Sequence, residues 1–194
     1  MPMELNKINN VLGDATNPTN QGYSSTPILI PHVCNDIGAW GAGFVMALNK
    51  TFGTGPMLFY KAWCEESMQK QFSPQFIRPA GSWEETGQFG LGQMQYVHVG
   101  NRTCIANMVA QRGTRNENNP HPIRYGALID CMRSIRKRYR ELQSKDIVIP
   151  FEIHCPKFGS DLAGGSWEEI EKMINEIWVD AGIPVTVYEF VPSS

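Results

Sequence analysis

Apolar, β-branched runs alternate along this chain with stretches whose apolar residues recur every three or four positions. The runs predict strands at Leu5–Leu12, Pro27–Val33, Gln93–Val99, Thr103–Val109, Ile147–His154 and Pro184–Val191. The three-to-four spacing predicts helices at Gly43–Lys50, Pro56–Lys70, Ile123–Gln143 and Trp167–Asp180. The last has one apolar face, Trp167, Ile170, Met173, Ile174, Ile177 and Trp178, opened by Ser166 as N-cap with Glu169 as its capping-box partner. Strands alternating with helices predict a layered α/β/α fold, with any ligand at the carboxyl ends of the central strands. Two stretches break the alternation. Gln71–Gly90, with Pro74, Pro79, Gly81, Gly87 and Gly90 among aromatics, predicts a long loop, and Arg112–Pro122 predicts a second, polar one. The string Gly-Ser-Trp-Glu-Glu at 81–85 and again at 165–169 is too short to imply duplication and reads as shared helix-capping chemistry.

Two of the strand-to-helix junctions carry glycine-rich turns. In the first, Ile28–Val33 runs into a polar cluster of His32, Cys34, Asn35 and Asp36, then Gly38, Gly41 and Gly43, then a helix from about Phe44. In the second, Phe151–His154 leads into Cys155-Pro156-Lys157-Phe158-Gly159-Ser160-Asp161-Leu162-Ala163-Gly164-Gly165. Strand, glycine loop and helix start is the geometry that points bare backbone N–H groups and a helix N-terminus at an anion. Glycine serves there because a Cβ would hold a phosphate off the backbone and because such loops need positive φ. Either loop alone is equally a tight connection in an ordinary α/β domain. As a pair they can clamp a diphosphate from both sides.

Composition narrows the class. At 194 residues the chain is expected to be one domain, 1–194, long enough for a sizeable core. Hydrophobic residues at 42% and charged residues at 19% are ordinary for a globular protein. A formal charge of −2 gives no reason to expect bulk nucleic-acid binding, and the basic run Arg133–Arg140 falls on a helical pattern as a solvated face. No apolar run reaches membrane-spanning length and the N-terminus lacks a signal pattern, so no membrane association is expected. Five cysteines, an odd number without a C-x-x-C pair, argue for reduced thiols and a cytoplasmic setting. His32, Cys34, His154 and Cys155 lack the spaced pairs of a structural zinc site, so no metal is expected.

Val11–Thr16, His32–Gly43, Asn107–Gln111 and Pro156–Trp167 together resemble the macro domain family, which binds ADP-ribose, and in particular its ADP-ribose 1''-phosphate phosphatase-like branch. Val11-Leu12-Gly13-Asp14-Ala15-Thr16 resembles the family's first strand end. His32-Val33-Cys34-Asn35 with Gly38-Ala39-Trp40-Gly41-Ala42-Gly43 resembles its H-x-C-N…G-x-W-G-x-G element. Asn107-Met108-Val109-Ala110-Gln111 resembles a strand end beside the site, and Pro156 through Trp167 its second phosphate loop. The resemblance implies a three-layer α/β/α domain around a mostly parallel mixed sheet, with 71–90 as a loop insertion. It also implies a ligand site built from Asp14, Ala15, Asn35, Trp40, Gly41, Ala42, Gly43, Phe44, Asn107, Gly159, Ser160, Asp161, Leu162, Ala163 and Gly164.

Within that site, Asp14 would accept a hydrogen bond from the adenine amine, or it is simply the turn-forming Asp of Gly-Asp-Ala-Thr. Asn35 would hold the hydroxyls of the distal ribose, or fix its own loop. His32 is the candidate general acid–base, or a core histidine bonded to backbone. Cys34 shares its strand face but nothing marks the thiol as activated. Asp161 stands where related loops carry glycine; Asp tolerates left-handed geometry, and its carboxylate could instead orient a water at the distal ribose. Ala110-Gln111 and Ala163-Gly164 do not match the hydrolase branches that use a Lys–Asp pair.

The expected partner is ADP-ribose or ADP-ribose 1''-phosphate, with hydrolysis at C1'' and His32, Asn35 and Asp161 as catalytic residues, no cofactor, and a monomeric chain. The alternatives are a mono-ADP-ribosyl hydrolase acting on modified protein or nucleic acid, and a non-catalytic module that sequesters ADP-ribose.

Overall fold

A computed structural model describes residues 6–18, 25–69, 83–100, 102–147 and 149–191. Among these residues the chain forms strands β1 (Asn9–Leu12), β2 (Ile28–Asn35), β3 (Trp83–Glu85), β4 (Met94–Gly100), β5 (Thr103–Gln111), β6 (Glu152–Pro156) and β7 (Val185–Glu189). The helices are α1 (Phe44–Phe52), α2 (Gly55–Gln69), α3 (Tyr125–Gln143) and α4 (Trp167–Ile174), the last running on into a π-helical turn at Asn175–Val179. The strands form a mixed sheet in the order β1-β7-β6-β2-β5-β4-β3. The five strands from β1 to β5 in that order pair in parallel, and β4 and β3 add antiparallel at one edge. This is the expected three-layer α/β/α architecture.

Side-chain alternation decides what each face of the sheet buries. Leu29, Ala106, Met108, Ile153, Cys155, Val185 and Val187 pack with Leu128, Met132 and Ile135 of α3, Ile170 and Ile174 of α4, and Trp178 of the π turn. On the other face Ile30, Val97 and Ile105 meet Leu48 of α1 and Phe59 of α2, while Cys34 and Val109 meet Tyr60 and Trp63 of α2. The parallel strands are covered on both sides, as such strands require.

Several boundaries move from their sequence positions for local reasons. β6 begins at Glu152 rather than Ile147, because Pro150 offers no N–H to a ladder and restrains the residue before it. α3 begins at Tyr125 rather than Ile123. The N–H groups of Ile123 and Arg124 are spent outside the helix, on the carbonyls of Ala163 and Ala110. The predicted loop Gln71–Gly90 also changes. Residues 71–82 lie outside the described residues, as do Leu5 and Lys70, but Trp83–Glu85 is strand β3, in register with Val97, Tyr96 and Gln95. Trp83 stacks on Phe59 at 4.6 Å and Glu84 pairs with Arg138 at 2.6 Å, contacts no local pattern announces.

Candidate functional site

Because β1, β7, β6, β2 and β5 run in parallel, their carboxyl ends share one edge of the sheet. Along that edge lie, in order, Gly13–Thr16, the end of β7 at Glu189, the loop 157–165, the loop 36–43, and the loop 112–122. Both sequence-predicted glycine loops are therefore neighbours, extending from β6 and β2, which pair directly.

The loop after β2 is closed by Asn35. Its Oδ1 accepts the N–H groups of Ile37 (3.2 Å) and Ala39 (2.9 Å), and its Nδ2 donates to the Ala39 carbonyl at 2.7 Å. The Tyr60 hydroxyl, from α2, is shared between the Asn35 carbonyl and, at 3.0 Å, Asn35 Oδ1. The chain then reaches Gly43, whose φ of 76° and ψ of −146° lie in a region open to glycine alone, and α1 starts at Phe44 without a side-chain cap. Among the described residues no acceptor meets the N–H groups of Gly41, Ala42, Gly43 and Phe44. Gly41, Ala42 and Gly43 are exposed.

The loop after β6 is closed from within. Gly165 N–H donates to the Gly159 carbonyl (2.8 Å), Gly164 N–H to the Asp161 carbonyl (2.9 Å), and Ser160 Oγ to the Lys157 carbonyl (2.8 Å). Gly164 has φ +70°, and a Cβ there would lie 2.6 Å from the Pro120 carbonyl oxygen. That packing leaves the N–H groups of Ser160, Asp161, Leu162 and Ala163 without an acceptor among the described residues. The two loops touch: a Cβ at Gly43 would lie 2.9 Å from Leu162 Cδ1. Two touching rows of N–H groups unpaired among the described residues, one at a helix N-terminus, suit two linked phosphates.

The flanking residues sort themselves along the edge. Asp14 Oδ1 accepts both the N–H and the hydroxyl of Thr16 at 2.8 Å, and Thr16 bonds Thr51 of α1 at 2.9 Å. Asp14 is thus turn-forming, with Oδ2 still uncommitted among the described residues; Ala15 beside it is buried. On the far side the loop 112–122 is tied to both glycine loops. Gly113 N–H donates to Asp36 Oδ1 (2.7 Å), Arg115 to the Asp161 carbonyl (3.3 Å), and His121 Nδ1 to the Gly164 carbonyl (2.8 Å). Asp161 itself is exposed and its carboxylate has no partner among the described residues.

His32 and Asn107 are both buried. His32 is 2% exposed, its ring set edge-on to Trp40 at 5.5 Å and beside Phe44 at 5.9 Å. Its Nε2 donates to Asn107 Oδ1 at 2.6 Å; Asn107 Nδ2 in turn donates to Gln95 Oε1, and Gln95 to the Phe59 carbonyl. Burial lowers the His32 pKa to about 4, against a smaller opposing effect of the Asn107 bond, so the imidazole is neutral near pH 7. Asn107, expected to contact ligand, is wholly buried with both ends of its amide committed to this chain of bonds. Its position on β5, directly opposite His32 in register, faces the core rather than the loops. The Cys34 thiol is pushed well up by burial and stays protonated. Trp40 lies beneath the first loop, its Nε1 donating to Asn49 at 3.2 Å.

Two groups were not singled out from sequence. Tyr60 sat on an apolar helix face with no signal separating it from core. Phe190, 67% exposed just past β7, adjoins the Asp14 turn, since Gly13 N–H donates to the Glu189 carbonyl. An exposed aromatic there is the only such signal, and it is one of exposure rather than pattern.

A layered α/β/α domain with two facing N–H loops at the carboxyl edge of a mixed sheet defines the class. A solved Streptomyces coelicolor macrodomain protein is 32% identical to the chain, with a TM-score of 0.68, 94% of this chain covered and 99% of that one. The chain belongs to the macrodomain family. A Bacteroides thetaiotaomicron protein of unknown function is 33% identical, with a TM-score of 0.73 over 95% of this chain and 98% of that one. Thermosipho africanus DarTG, solved in complex with ADP-ribose, shares the fold at 15% identity and a TM-score of 0.58, over 98% of this chain and 44% of that one. No protein-family model and no curated protein matches the chain. No described helix is long and apolar enough to cross a membrane.

Proposed function

We propose that the chain binds ADP-ribose and hydrolyses a substituent from C1'' of its distal ribose, with ADP-ribose 1''-phosphate as the substrate. The observation that carries this reading is the contact of the two loops at Gly43 and Leu162, with N–H groups unpaired among the described residues on both sides. The pyrophosphate lies between them, held by Gly41, Ala42, Gly43 and Phe44 on one side and Ser160, Leu162 and Ala163 on the other. The Oδ2 of Asp14, uncommitted among the described residues, accepts the adenine amine. Asn35 has already given one Nδ2 hydrogen to Ala39; the second donates to a hydroxyl of the distal ribose. That DarTG of the same fold is solved with ADP-ribose supports the ligand class.

The chemistry falls to Asp161. Arg115, from the loop 112–122, holds the Asp161 carbonyl, and the carboxylate is the exposed acidic group on the second loop. There it orients a water whose attack replaces phosphate at C1'' and yields ADP-ribose and inorganic phosphate. His32, neutral and enclosed by Trp40 and Phe44, serves instead to seat those rings under the first loop. The N–H rows fix the diphosphate and so hold the reacting carbon in place, which is where most of the rate gain would come from.

Calorimetry with ADP-ribose, followed by phosphate release from ADP-ribose 1''-phosphate, tests the reading. Asp161→Asn is expected to cut turnover by about 100-fold or more while ADP-ribose affinity stays within about threefold. Absence of binding at millimolar ADP-ribose would remove the whole proposal. Binding without turnover of the 1''-phosphate, by wild type and D161N alike, would leave a sequestering module or a hydrolase for ADP-ribosylated macromolecules.

A further inference from the structure

We infer that Tyr60 is the positioning residue for the distal-ribose end of the site, and that the segment 87–91 acts on that end through Phe89; this rests on Asn35 contacting the distal ribose. Asn35 can present its second Nδ2 hydrogen outward only if the amide keeps one orientation. Tyr60 adds a third donor, its one hydroxyl hydrogen shared between the Asn35 carbonyl and Oδ1. Among the described residues it is the one donor there that comes from outside the turn itself. The side chain is fully buried, and burial drives the phenol far above its ordinary pKa, so it is a permanent donor.

What holds Tyr60 is a series of aromatic contacts. Its ring lies between Trp40 at 5.5 Å and Phe89 at 5.7 Å, and Phe89 meets Trp63 edge-on at 5.0 Å. The segment carrying Phe89 is pinned to α2 twice: Phe89 N–H donates to Ser67 Oγ (3.1 Å) and Trp63 Nε1 donates to the Gly87 carbonyl (3.1 Å). Each contact in the series Gly87–Trp63–Phe89–Tyr60–Asn35 is direct. The far end of the predicted 71–90 insertion therefore sits one side chain behind the residue that sets Asn35.

The test compares ADP-ribose with ADP, which lacks the distal ribose, in wild type, Tyr60→Phe and Phe89→Leu. Tyr60→Phe keeps the ring and its packing and removes only the hydroxyl. Its ADP-ribose affinity is expected to fall about five- to tenfold, the range for one lost hydrogen bond, while ADP affinity changes less than twofold. Phe89→Leu is expected to act in the same direction and more weakly. Equal losses for both ligands, or none for either, would overturn the inference. Wild type that binds ADP-ribose no better than ADP would instead refute the role of Asn35. Independently of any ligand, the Asn35 side-chain NH₂ resonances are expected to shift in the Tyr60→Phe spectrum; unchanged resonances overturn the positioning role by themselves.

Discussion

Replacing Gly43 by alanine separates backbone geometry from simple space at the centre of the cleft. The residue sits at φ 76°, ψ −146°, and holding a residue with a Cβ in such a region costs roughly 1–3 kcal/mol. The new methyl would also meet Leu162 Cδ1 at 2.9 Å. That atom is the tip of a side chain 44% exposed, so it can swing aside, and the backbone cost remains. If the loop holds its shape, the strain appears as lost stability, about 2–4 °C in Tm for each kcal/mol in a domain of this size. If the loop yields, Gly41–Phe44 turn away from the anion. Each charge-assisted N–H contact is worth about 1.5–3 kcal/mol, so losing even one weakens ADP-ribose by about tenfold or more. Thermal melts and calorimetric titrations of G43A, L162A and the double variant distinguish the cases. L162A is expected to bind nearly as wild type, and the double variant to be no better than G43A. A G43A protein with unaltered Tm and unaltered affinity refutes the reasoning, and so does full rescue by L162A, which would make the obstacle one of contact alone.

Two further outcomes follow from the flanking groups. The His32 pKa is depressed to about 4 from about 6.5, so the unfolded chain takes up this proton first as pH falls. The histidine's contribution to stability is therefore whole above pH 6.5 and lost on descending to pH 4. Over that interval it amounts to about 3 kcal/mol. Urea titrations at pH 7.0 and pH 4.5 should show a smaller acid loss in His32→Asn than in wild type, and equal losses would contradict the buried neutral state. Asp14→Ala removes both the carboxylate and the turn bonds to Thr16; ADP-ribose should bind about tenfold more weakly, while ribose 5-phosphate is unaffected. Parallel losses for the two ligands would detach Asp14 from the adenine end.

How much of this was readable beforehand depends on the range of the physics involved. The two glycine loops, the Ser166 cap and the layered order of strands and helices are local signals, and the fold expresses them with boundaries shifted by a few residues. The pentapeptide Gly-Ser-Trp-Glu-Glu shows the limit. At 165–169 it starts α4, whereas Trp83–Glu85 of the same string forms a strand because β4 offers a ladder and Phe59 offers a ring. The burial of Asn107 and His32, bonded to each other, was not legible for a similar reason. Proximity in sequence to a strand end fixes the residue's level along the sheet, but the face it presents and what covers that face belong to α1 and α2. Tyr60 was invisible because its function is a hydrogen bond to a residue 25 positions away.

The strand order has one more consequence. Asp14 follows β1 and Asn35 ends β2, and two other strands, β7 and β6, lie between them. At a separation of about 4.8 Å per strand, the two anchors stand about 14 Å apart along the edge. On the proposed reading the sheet is thereby a ruler: a mononucleotide would engage one anchor alone, and only a dinucleotide-length molecule would span both.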